Sequence, residues 1–343
     1  MHHSPLTTHY SLLTTHMRIL VTGGAGYIGS HAVRLFSARS HEVWVYDNLS
    51  MGHRQAAPAE RLIVGDLEEI PRLEHTLLVH QIEAVVHFAA FAYVGESVKD
   101  PGKYYKNNLV NTLNLMECLR RSGVSRFVFS STCATYGVPI KVPITEDEAQ
   151  RPINPYGCGK LAVEWALSDY AAAYGWSYAA LRYFNAAGAS PDGTIGEGHD
   201  PETHLIPLVL QTVLGRRPHV EIYGTDYPTP DGTCIRDYIH VDDLAEAHLL
   251  ALEKLKPGDG LRYNLGIGQG YSVREVIQTA QEITGKSVPV KEGPRRHGDP
   301  PILVACSDKV QRELGWKPRY TELRPIMETA WNWHRKHPRG YGP

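Results

Sequence analysis

Residues 18–29 read RILVTGGAGYIG, and this stretch decides the class of fold. Arg18–Thr22 is a short apolar run rich in β-branched side chains, which is typical of a buried strand. Glycines follow at 23, 26 and 29, and a helical pattern comes next. Backbone N–H groups at such a turn can approach a pyrophosphate, and the dipole of the helix that begins there favours negative charge. The stretch therefore predicts a dinucleotide-binding turn; because 31 of the 343 residues are glycine, an ordinary strand–helix turn is the alternative.

The end of the second predicted strand indicates which dinucleotide is bound. Glu42–Tyr46 is again apolar and rich in β-formers, and Asp47 follows it directly. An acidic side chain at this place can accept hydrogen bonds from both ribose hydroxyls and repels a 2′-phosphate. The pattern predicts NAD rather than NADP as the cofactor.

Strands and helices alternate through the first half of the chain. This rhythm is typical of βαβ units, so the predicted fold class is α/β, a Rossmann-type doubly wound parallel sheet with a smaller C-terminal α/β substrate lobe. Further strands are predicted at Leu62–Val64, Ala84–Phe88, Arg126–Ser131 and Ser177–Tyr183, and helices at Leu67–His80, Asp100–Arg121 and Asn154–Tyr174.

The alternation ends after Asn185, where Gly, Pro and Asp become frequent. Residues 17–185, together with 237–262, are predicted to form the NAD-binding domain. Residues 186–236 and 263–343 are predicted to form the substrate lobe, and residues 1–16 a disordered extension.

Composition excludes several classes of protein. Lys+Arg is 35 and Asp+Glu is 37, and this net charge of −2 predicts neither nucleic-acid nor membrane binding. No apolar run approaches the roughly 20 residues of a membrane-spanning helix. The five cysteines are scattered and have no CxxC spacing, which argues against a disulfide framework and a zinc ribbon and predicts a reducing, cytoplasmic location. No metal site is predicted.

Tyr156 and Lys160 are four residues apart and share one face of a predicted helix. A free tyrosine has a pKa of about 10, and an ammonium group and a nicotinamide cation nearby would both lower it. The preceding strand ends in Ser130–Thr132, at the sheet edge where doubly wound folds bind ligands. The pattern predicts an acid–base tyrosine, with a helix-packing tyrosine as the alternative.

Several motifs belong together: TGGAGYIG at 22–29, HFAA at 87–90, the Tyr156–Lys160 pair and LRYFNAAG at 181–188. With them the chain resembles the extended short-chain dehydrogenase/reductase family. Three further stretches resemble its UDP-glucose 4-epimerase branch, namely VGESVKDP at 94–101, DYPTPDGTCIRDYIHVDDLA at 226–245 and RRHGDPP at 295–301. The resemblance covers 17–343 and implies an isomerase that interconverts UDP-glucose and UDP-galactose with NAD.

The resemblance also implies residue roles. Tyr156 would remove and return the O4 proton, Lys160 would lower its pKa and hold the nicotinamide ribose, and Thr132 would lie beside the sugar O4. Dehydratases of the family have an Asp–Glu pair after this hydroxyl; here Cys133 and Ala134 follow, so dehydration is disfavoured.

The implied ligand contacts form two sets. The cofactor contacts are Gly23, Gly26, Tyr27, Ile28, Asp47, Asn48, Asp66, Leu67, Phe88, Ala89, Asn107, Tyr156, Lys160 and Tyr183. The substrate contacts are Thr132, Tyr156, Asn185, Leu205, Tyr223, Arg236, Arg296, Asp299 and Leu303. The two arginines suit a diphosphate, with solvated surface charges as the alternative. Some family members have a lysine where Ala92 stands, so one cationic cofactor contact is missing.

Leu303 lies four residues after Asp299, at a position that borders the sugar pocket in the family, where a bulky aromatic side chain restricts N-acetylated sugars. Leucine predicts UDP-galactose as the main substrate with measurable activity on UDP-N-acetylgalactosamine, unless Leu303 is an ordinary packing residue.

The alternative functions are a 4-epimerase preferring UDP-N-acetylhexosamine, UDP-uronate or UDP-pentose, a net dehydrogenase, or a catalytically silent NAD-binding scaffold. The resemblance also implies a homodimer formed through helices within 100–121 and 154–174.

Overall fold

The computed structural model describes residues 16–296 and 299–342. One parallel sheet dominates the fold. Its strands are β1 (Arg18–Thr22), β2 (Glu42–Asp47), β3 (Leu62–Val64), β4 (Ala84–His87), β5 (Arg126–Thr132), β6 (Ser177–Tyr183) and β10 (Gly260–Leu265), in the order β3-β2-β1-β4-β5-β6-β10.

Helices connect these strands and extend into the second half of the chain. They are α1 (Tyr27–Ala38), α2 (Ile70–Val79), α3 (Val94–Lys99), α4 (Pro101–Tyr104), α5 (Asn111–Arg121), α6 (Pro155–Tyr174), α7 (Leu205–Val213), α8 (Val241–Lys254), α9 (Val273–Thr284), α10 (Asp308–Leu314) and α11 (Leu323–Lys336). Among the described residues, no helix is both long enough and apolar enough to span a bilayer.

Helices cover both faces of the main sheet. Successive side chains of a strand point to opposite faces. Ile19 and Val21 of β1 accordingly pack in a core with α1, α8 and α10, and Leu20 packs in a second core with α2, α5 and α6. The predicted doubly wound parallel sheet is therefore confirmed.

The strand order reverses between β1 and β4, because the chain leads outward to β2 and β3 before it returns. Connections on the two sides of this point run apart and leave a crevice at the carboxyl ends of the strands, where such sheets bind ligands.

The second half of the chain builds a smaller α/β unit. The strands β7 (Asn185–Ala187), β9 (Ile235–His240), β11 (Gly270–Ser272) and β13 (Ile302–Leu303) form one sheet, and β8 (Val220–Tyr223) pairs with β12 (Val290–Gly293). A separate core joins α7, α9 and α11 to these strands. Because β10 pairs with β6, the chain returns to the main sheet late. The domain boundaries, including the assignment of residues 237–262 to the NAD-binding domain, stay a prediction.

The structure differs from the predicted helix Asp100–Arg121 in its middle. A π-helical turn, Tyr105–Val110, separates α4 from α5. Such wide turns occur often at functional sites. The expectation of a disordered extension concerns residues 1–16, of which 1–15 lie outside the described residues.

Candidate active site

The turn between β1 and α1 requires glycine at two positions. Gly23 has a φ of +73°, and a Cβ there would lie 2.5 Å from the backbone nitrogen of Ala89. A Cβ on Gly29 would collide with the carbonyl oxygen of Gly23. Both glycines thus let the turn pack tightly on itself and on the residues that follow β4.

Gly26 has a different part in the turn. A Cβ there would meet only the carbonyl oxygen of Gly23, at 3.3 Å, so packing alone does not demand glycine. Gly26 is the N-cap of α1, and no side chain caps this helix or puts a negative charge in its first turn. The first N–H groups of a helix have no partner within it, so they are available to an anion such as a pyrophosphate.

Asp47 lies at the end of β2 against this turn. Its carboxylate, 7% exposed, accepts hydrogen bonds from the backbone N–H groups of Ala25, at 3.0 Å, and Leu49, at 2.8 Å. Burial raises the pKa of Asp47 above its usual value, although both backbone donors oppose the rise. A carboxylate held beside an uncapped, glycine-lined helix start fits a dinucleotide whose ribose hydroxyls are free.

The predicted contacts next to Asp47 are also brought together. Asn48 donates from its side-chain amide to a carboxylate oxygen of Asp66, at 2.7 Å. Leu67 is buried in the core beneath. The backbone N–H groups of Phe88 and Ala89 bind the carbonyl oxygen of Thr22, at 2.9 and 3.1 Å, so the loop after β4 adjoins the glycine turn.

The π-helical turn ties Asn107 to this loop through a residue that sequence reasoning missed. Asn107 donates to the side-chain oxygen of Asn108, at 2.8 Å. Asn108 is 2% exposed and holds Phe91 by both its backbone N–H, at 2.9 Å, and its carbonyl, at 2.8 Å. The only sequence signal was the pair of asparagines within an otherwise helical pattern.

Tyr156, Lys160 and Thr132 converge where α6 meets the end of β5. Asn154 caps α6 by accepting a hydrogen bond from the N–H of Gly157, at 2.8 Å, and fixes where the helix begins. Lys160 is 3% exposed and donates to the carbonyl oxygen of Ser130, at 2.7 Å.

Burial dominates the titration of these groups. It raises the pKa of Tyr156 well above 10, and a hydrogen bond with Thr132 acts in the opposite direction. Burial also lowers the pKa of Lys160 from 10.5 to about 7. The lowering of the tyrosine pKa by Lys160 and the nicotinamide cation stays a prediction.

Tyr183, at the end of β6, also contacts β5. Its hydroxyl is 2.8 Å from that of Ser130, so Lys160 and Tyr183 both contact the same residue of β5. Burial raises the pKa of Tyr183 to about 12, so its hydroxyl is neutral at physiological pH.

Three of the predicted substrate residues lie on strands of the smaller unit: Tyr223 on β8, Arg236 on β9 and Leu303 on β13. The guanidinium of Arg296 lies 4.0 Å above the ring of Tyr223, and Arg236 forms an ion pair with Asp299. Leu303 is paired in register with Arg236.

Two of these contacts connect to the rest of the site. Leu303 packs on the small apolar cluster that contains Cys133, the neighbour of Thr132. Asn185 donates to the carbonyl oxygen of Asp237, at 2.9 Å, whereas Leu205 packs at the start of α7 in the core of the smaller unit.

Comparison with known proteins gives the family. Residues 19–266 match the NAD dependent epimerase/dehydratase family. The chain belongs to this family. A UDP-glucose 4-epimerase of Halalkalibacterium halodurans is 51% identical over 323 residues, which are 94% of this chain and 97% of that protein.

Solved structures agree with this assignment. A UDP-glucose 4-epimerase of Brucella ovis in complex with NAD has a TM-score of 0.89 and 52% identity, over 92% of this chain and 97% of that one. The UDP-Glc/GlcNAc 4-epimerase of Campylobacter jejuni has a TM-score of 0.81 and 41% identity, over 93% of this chain and 99% of that one. The resemblance inferred from the sequence motifs is confirmed.

Two features of this epimerase/dehydratase chain escaped sequence reasoning. Glu164, one turn after Lys160 on the same face of α6, forms a buried ion pair with Arg182, with 2.6 Å between Oε2 and Nη2. The pair had no local signal, because its members are on α6 and β6.

The second feature is a set of two glutamates and two histidines before α7, spaced as ExHxxExH over residues 197–204. No metal site was predicted from the sequence, although this spacing is a usable signal for one.

Proposed function

We propose that this protein interconverts UDP-glucose and UDP-galactose by transient oxidation at sugar C4, with Tyr156 as the base and then the acid. One observation carries the proposal: the buried Tyr156 and Lys160, which binds the carbonyl oxygen of Ser130 at the end of β5, lie beside the strand ends that adjoin an NAD-type glycine turn. The similarity to UDP-glucose 4-epimerases supports the same reaction.

Each residue of the proposed site has a separate role in the reaction. NAD, when bound, supplies the hydride acceptor and donor and a positive charge that favours the phenolate form of Tyr156. Tyr156 takes the O4 proton as C4 is oxidised and returns it after the keto sugar has turned over. Thr132, at the end of β5, orients the O4 hydroxyl beside Tyr156.

Lys160 lies one helical turn after Tyr156 on α6. Its ammonium is fixed on the Ser130 carbonyl and lies 4.7 Å from the centre of the Phe129 ring. In this position it would hold the nicotinamide ribose, and a phenolate at Tyr156 would favour the charged form of Lys160.

Recognition of the nucleotide falls to the smaller unit. Arg236 and Arg296 bind the diphosphate, because a guanidinium fork matches phosphate oxygens. Arg236 is held ready by Asp299, and Arg296 by the face of Tyr223. The main sheet thus binds NAD, and the unit built around β9 binds the UDP-sugar.

The decisive experiment compares UDP-galactose, UDP-N-acetylgalactosamine, UDP-galacturonate and UDP-arabinose side by side at equal concentration. UDP-galactose should give the highest kcat/KM without added NAD, and denaturation of the purified protein should release NAD. Dependence on stoichiometric added NAD would identify a net dehydrogenase. Absence of turnover with all four sugars would favour the silent scaffold.

Asp47→Ala should weaken NAD binding by about 10–100-fold, since hydrogen bonds to a charged group contribute about 1.5–3 kcal/mol. It should also admit NADP, because the repulsion of the 2′-phosphate is removed. Binding of both cofactors by calorimetry checks this. Asp47→Asn is the matched control, because it removes the charge yet keeps an acceptor for Ala25 or Leu49. Full NAD affinity with continued exclusion of NADP in Asp47→Ala would reject the assignment.

We expect UDP-N-acetylgalactosamine to be a second substrate because of Leu303. This residue pairs in register with Arg236 and packs on the cluster that contains Cys133. Leu303→Tyr should lower kcat/KM for UDP-N-acetylgalactosamine by about 5–100-fold, since added bulk in a packed site costs about 1–3 kcal/mol. The effect on UDP-galactose should be smaller, because a hydroxyl needs less room than an acetamido group. Leu303→Met is the control of similar volume. Equal loss of both activities in Leu303→Tyr would contradict this role of Leu303. So would a wild-type enzyme that is inactive on UDP-N-acetylgalactosamine.

The proposed homodimer forms through α6 and the helical segment around the π-helical turn. Apolar side chains of both are exposed there, with Trp165 at 63%, Val110 at 42% and Tyr105 at 39%. A four-helix interface between two subunits would bury them. The five unpaired cysteines agree with a reducing location, for which we propose the cytoplasm.

Trp165→Glu should raise the dissociation constant of the dimer by roughly 30-fold or more, because buried aromatic anchors contribute about 2 kcal/mol or more. Light scattering coupled to size exclusion measures the shift to monomer. Leu78→Glu is a matched control, since Leu78 is 64% exposed but lies on α2. A dimer unaffected by Trp165→Glu would place the interface elsewhere.

A further inference from the structure

Four side chains of the segment before α7 converge on one point. They are Glu197, His199, Glu202 and His204, and one potential ligand atom from each lies within 4.8 Å of all the others. Nδ1 of His199 is 3.0 Å from a carboxylate oxygen of Glu197 and 3.8 Å from one of Glu202. Nδ1 of His204 is 2.7 Å from Glu197 and 3.1 Å from Glu202.

These separations fit a shared tetrahedral cation. With metal–ligand bonds of about 2.0 Å to imidazole nitrogen and carboxylate oxygen, neighbouring ligand atoms stand about 3.3 Å apart. The four N···O distances of 2.7–3.8 Å lie on both sides of that value. Small rotations of the four side chains would therefore bring their ligand atoms into tetrahedral positions without a change in the backbone.

The charge of the cluster is compatible with a bound dication. The carboxylates of Glu197 and Glu202 are only 5% and 4% exposed, and buried charges require compensation. Two protonated histidines or one dication with two neutral histidines would each neutralise them. His204 is 41% exposed, so the cluster is open to solvent on one side and a metal ion can enter.

The segment is held rigidly around this cluster. The indole of Trp333 donates to the carbonyl oxygen of Glu197, at 2.8 Å, and His53 lies 2.6 Å from that of Gly198. The hydroxyl of Tyr93 donates to the carbonyl oxygen of Pro201, at 2.9 Å. Ligands held on a fixed backbone lose little freedom when a metal binds.

The cluster also adjoins the candidate active site. His199 lines a cavity of about 40 Å³ together with Met51 and residues 90–93, which belong to the loop that follows β4. The ring of His199 is 6.3 Å from that of Tyr27, the first residue of α1. A cation here would fix the segment 197–204 against the walls of the cofactor crevice.

We propose that Glu197, His199, Glu202 and His204 bind one zinc ion per chain as a structural clamp. Two imidazoles and two carboxylates suit Zn²⁺, whereas Mg²⁺ and Ca²⁺ prefer sites made only of oxygen. Four protein ligands close the coordination sphere, as in structural rather than catalytic zinc sites. The clamp does not depend on the proposed epimerase activity.

The test uses the full chain, stripped with a chelator, loaded with zinc chloride and desalted. Elemental analysis should find about one zinc per chain in the wild type and in His75→Gln, an exposed histidine on α2 that controls for adventitious binding. The double variant His199→Gln/His204→Gln should retain less than a tenth of that amount. Equal zinc in the double variant and the wild type, or none retained by the wild type, would overturn the proposal.

Two further readouts cover a double variant that does not fold. Zinc at about 100-fold its Kd should raise the Tm of the wild type by roughly 4 °C. The single variant His204→Gln, at the exposed side of the cluster, should show no such rise. Co²⁺ in place of zinc should give the intense visible bands of tetrahedral coordination, and an octahedral spectrum would contradict the closed site.

Discussion

Tyr156→Phe should lower kcat by about 10²–10⁴-fold, the usual contribution of a general acid–base group. The substitution removes the atom that would carry the O4 proton and almost no volume. Tyr156 is 7% exposed and its ring stays packed, so fold and NAD content should be unchanged. Turnover of UDP-galactose, with NAD content measured on the same sample, checks both expectations.

Tyr178→Phe is the matched control for this experiment. Tyr178 is 1% exposed on β6 and packs in the core beneath α5 and α6, away from the proposed reacting atoms. Its activity should stay within about threefold of wild type. If Tyr156→Phe also stayed within about threefold, another group would have to be the base.

Glu164→Leu should destabilise the protein by about 3–5 kcal/mol, the usual cost of leaving a buried charge without its partner. Glu164 and Arg182 are each 2% exposed and meet through two hydrogen bonds, at 2.6 and 3.0 Å. Ser131 donates to the same carboxylate, at 2.6 Å. The substitution would therefore leave the guanidinium of Arg182 buried among α6, β5 and β6 without its charged partner. Urea denaturation in the presence of NAD measures the loss of stability.

The double variant Glu164→Leu/Arg182→Met separates charge from packing. Replacing both members of a buried pair by apolar residues is often neutral, so much of the lost stability should return. Double-mutant cycles show such coupling directly. A single variant Glu164→Leu within about 1 kcal/mol of wild type would mean that the pair is dispensable.

Local sequence patterns were sufficient for much of the main sheet. The apolar runs gave β1, β3 and β6 at their observed bounds, because buried parallel strands are continuous apolar stretches bounded by polar turns. The glycine turn and Asp47 were also readable, since both depend on neighbours within a few residues of β1 and β2. The helix Asp100–Arg121 was predicted without its π-helical turn, because hydrophobic periodicity does not resolve a single widened turn.

What the sequence by itself determined is the doubly wound sheet, its dinucleotide turn and the identity of a tyrosine–lysine pair on one helix face. These follow from short-range periodicity and backbone sterics. Only the tertiary structure decided which distant residues meet: Lys160 with the carbonyl of Ser130, Arg182 with Glu164, and Leu303 with Arg236. It also decided that burial raises the pKa of Tyr156, and that the side chains of residues 197–204 turn inward to one point. The physical reason is that burial and electrostatic environment depend on every element packed around a group, whereas a sequence pattern records only the residues next to it along the chain.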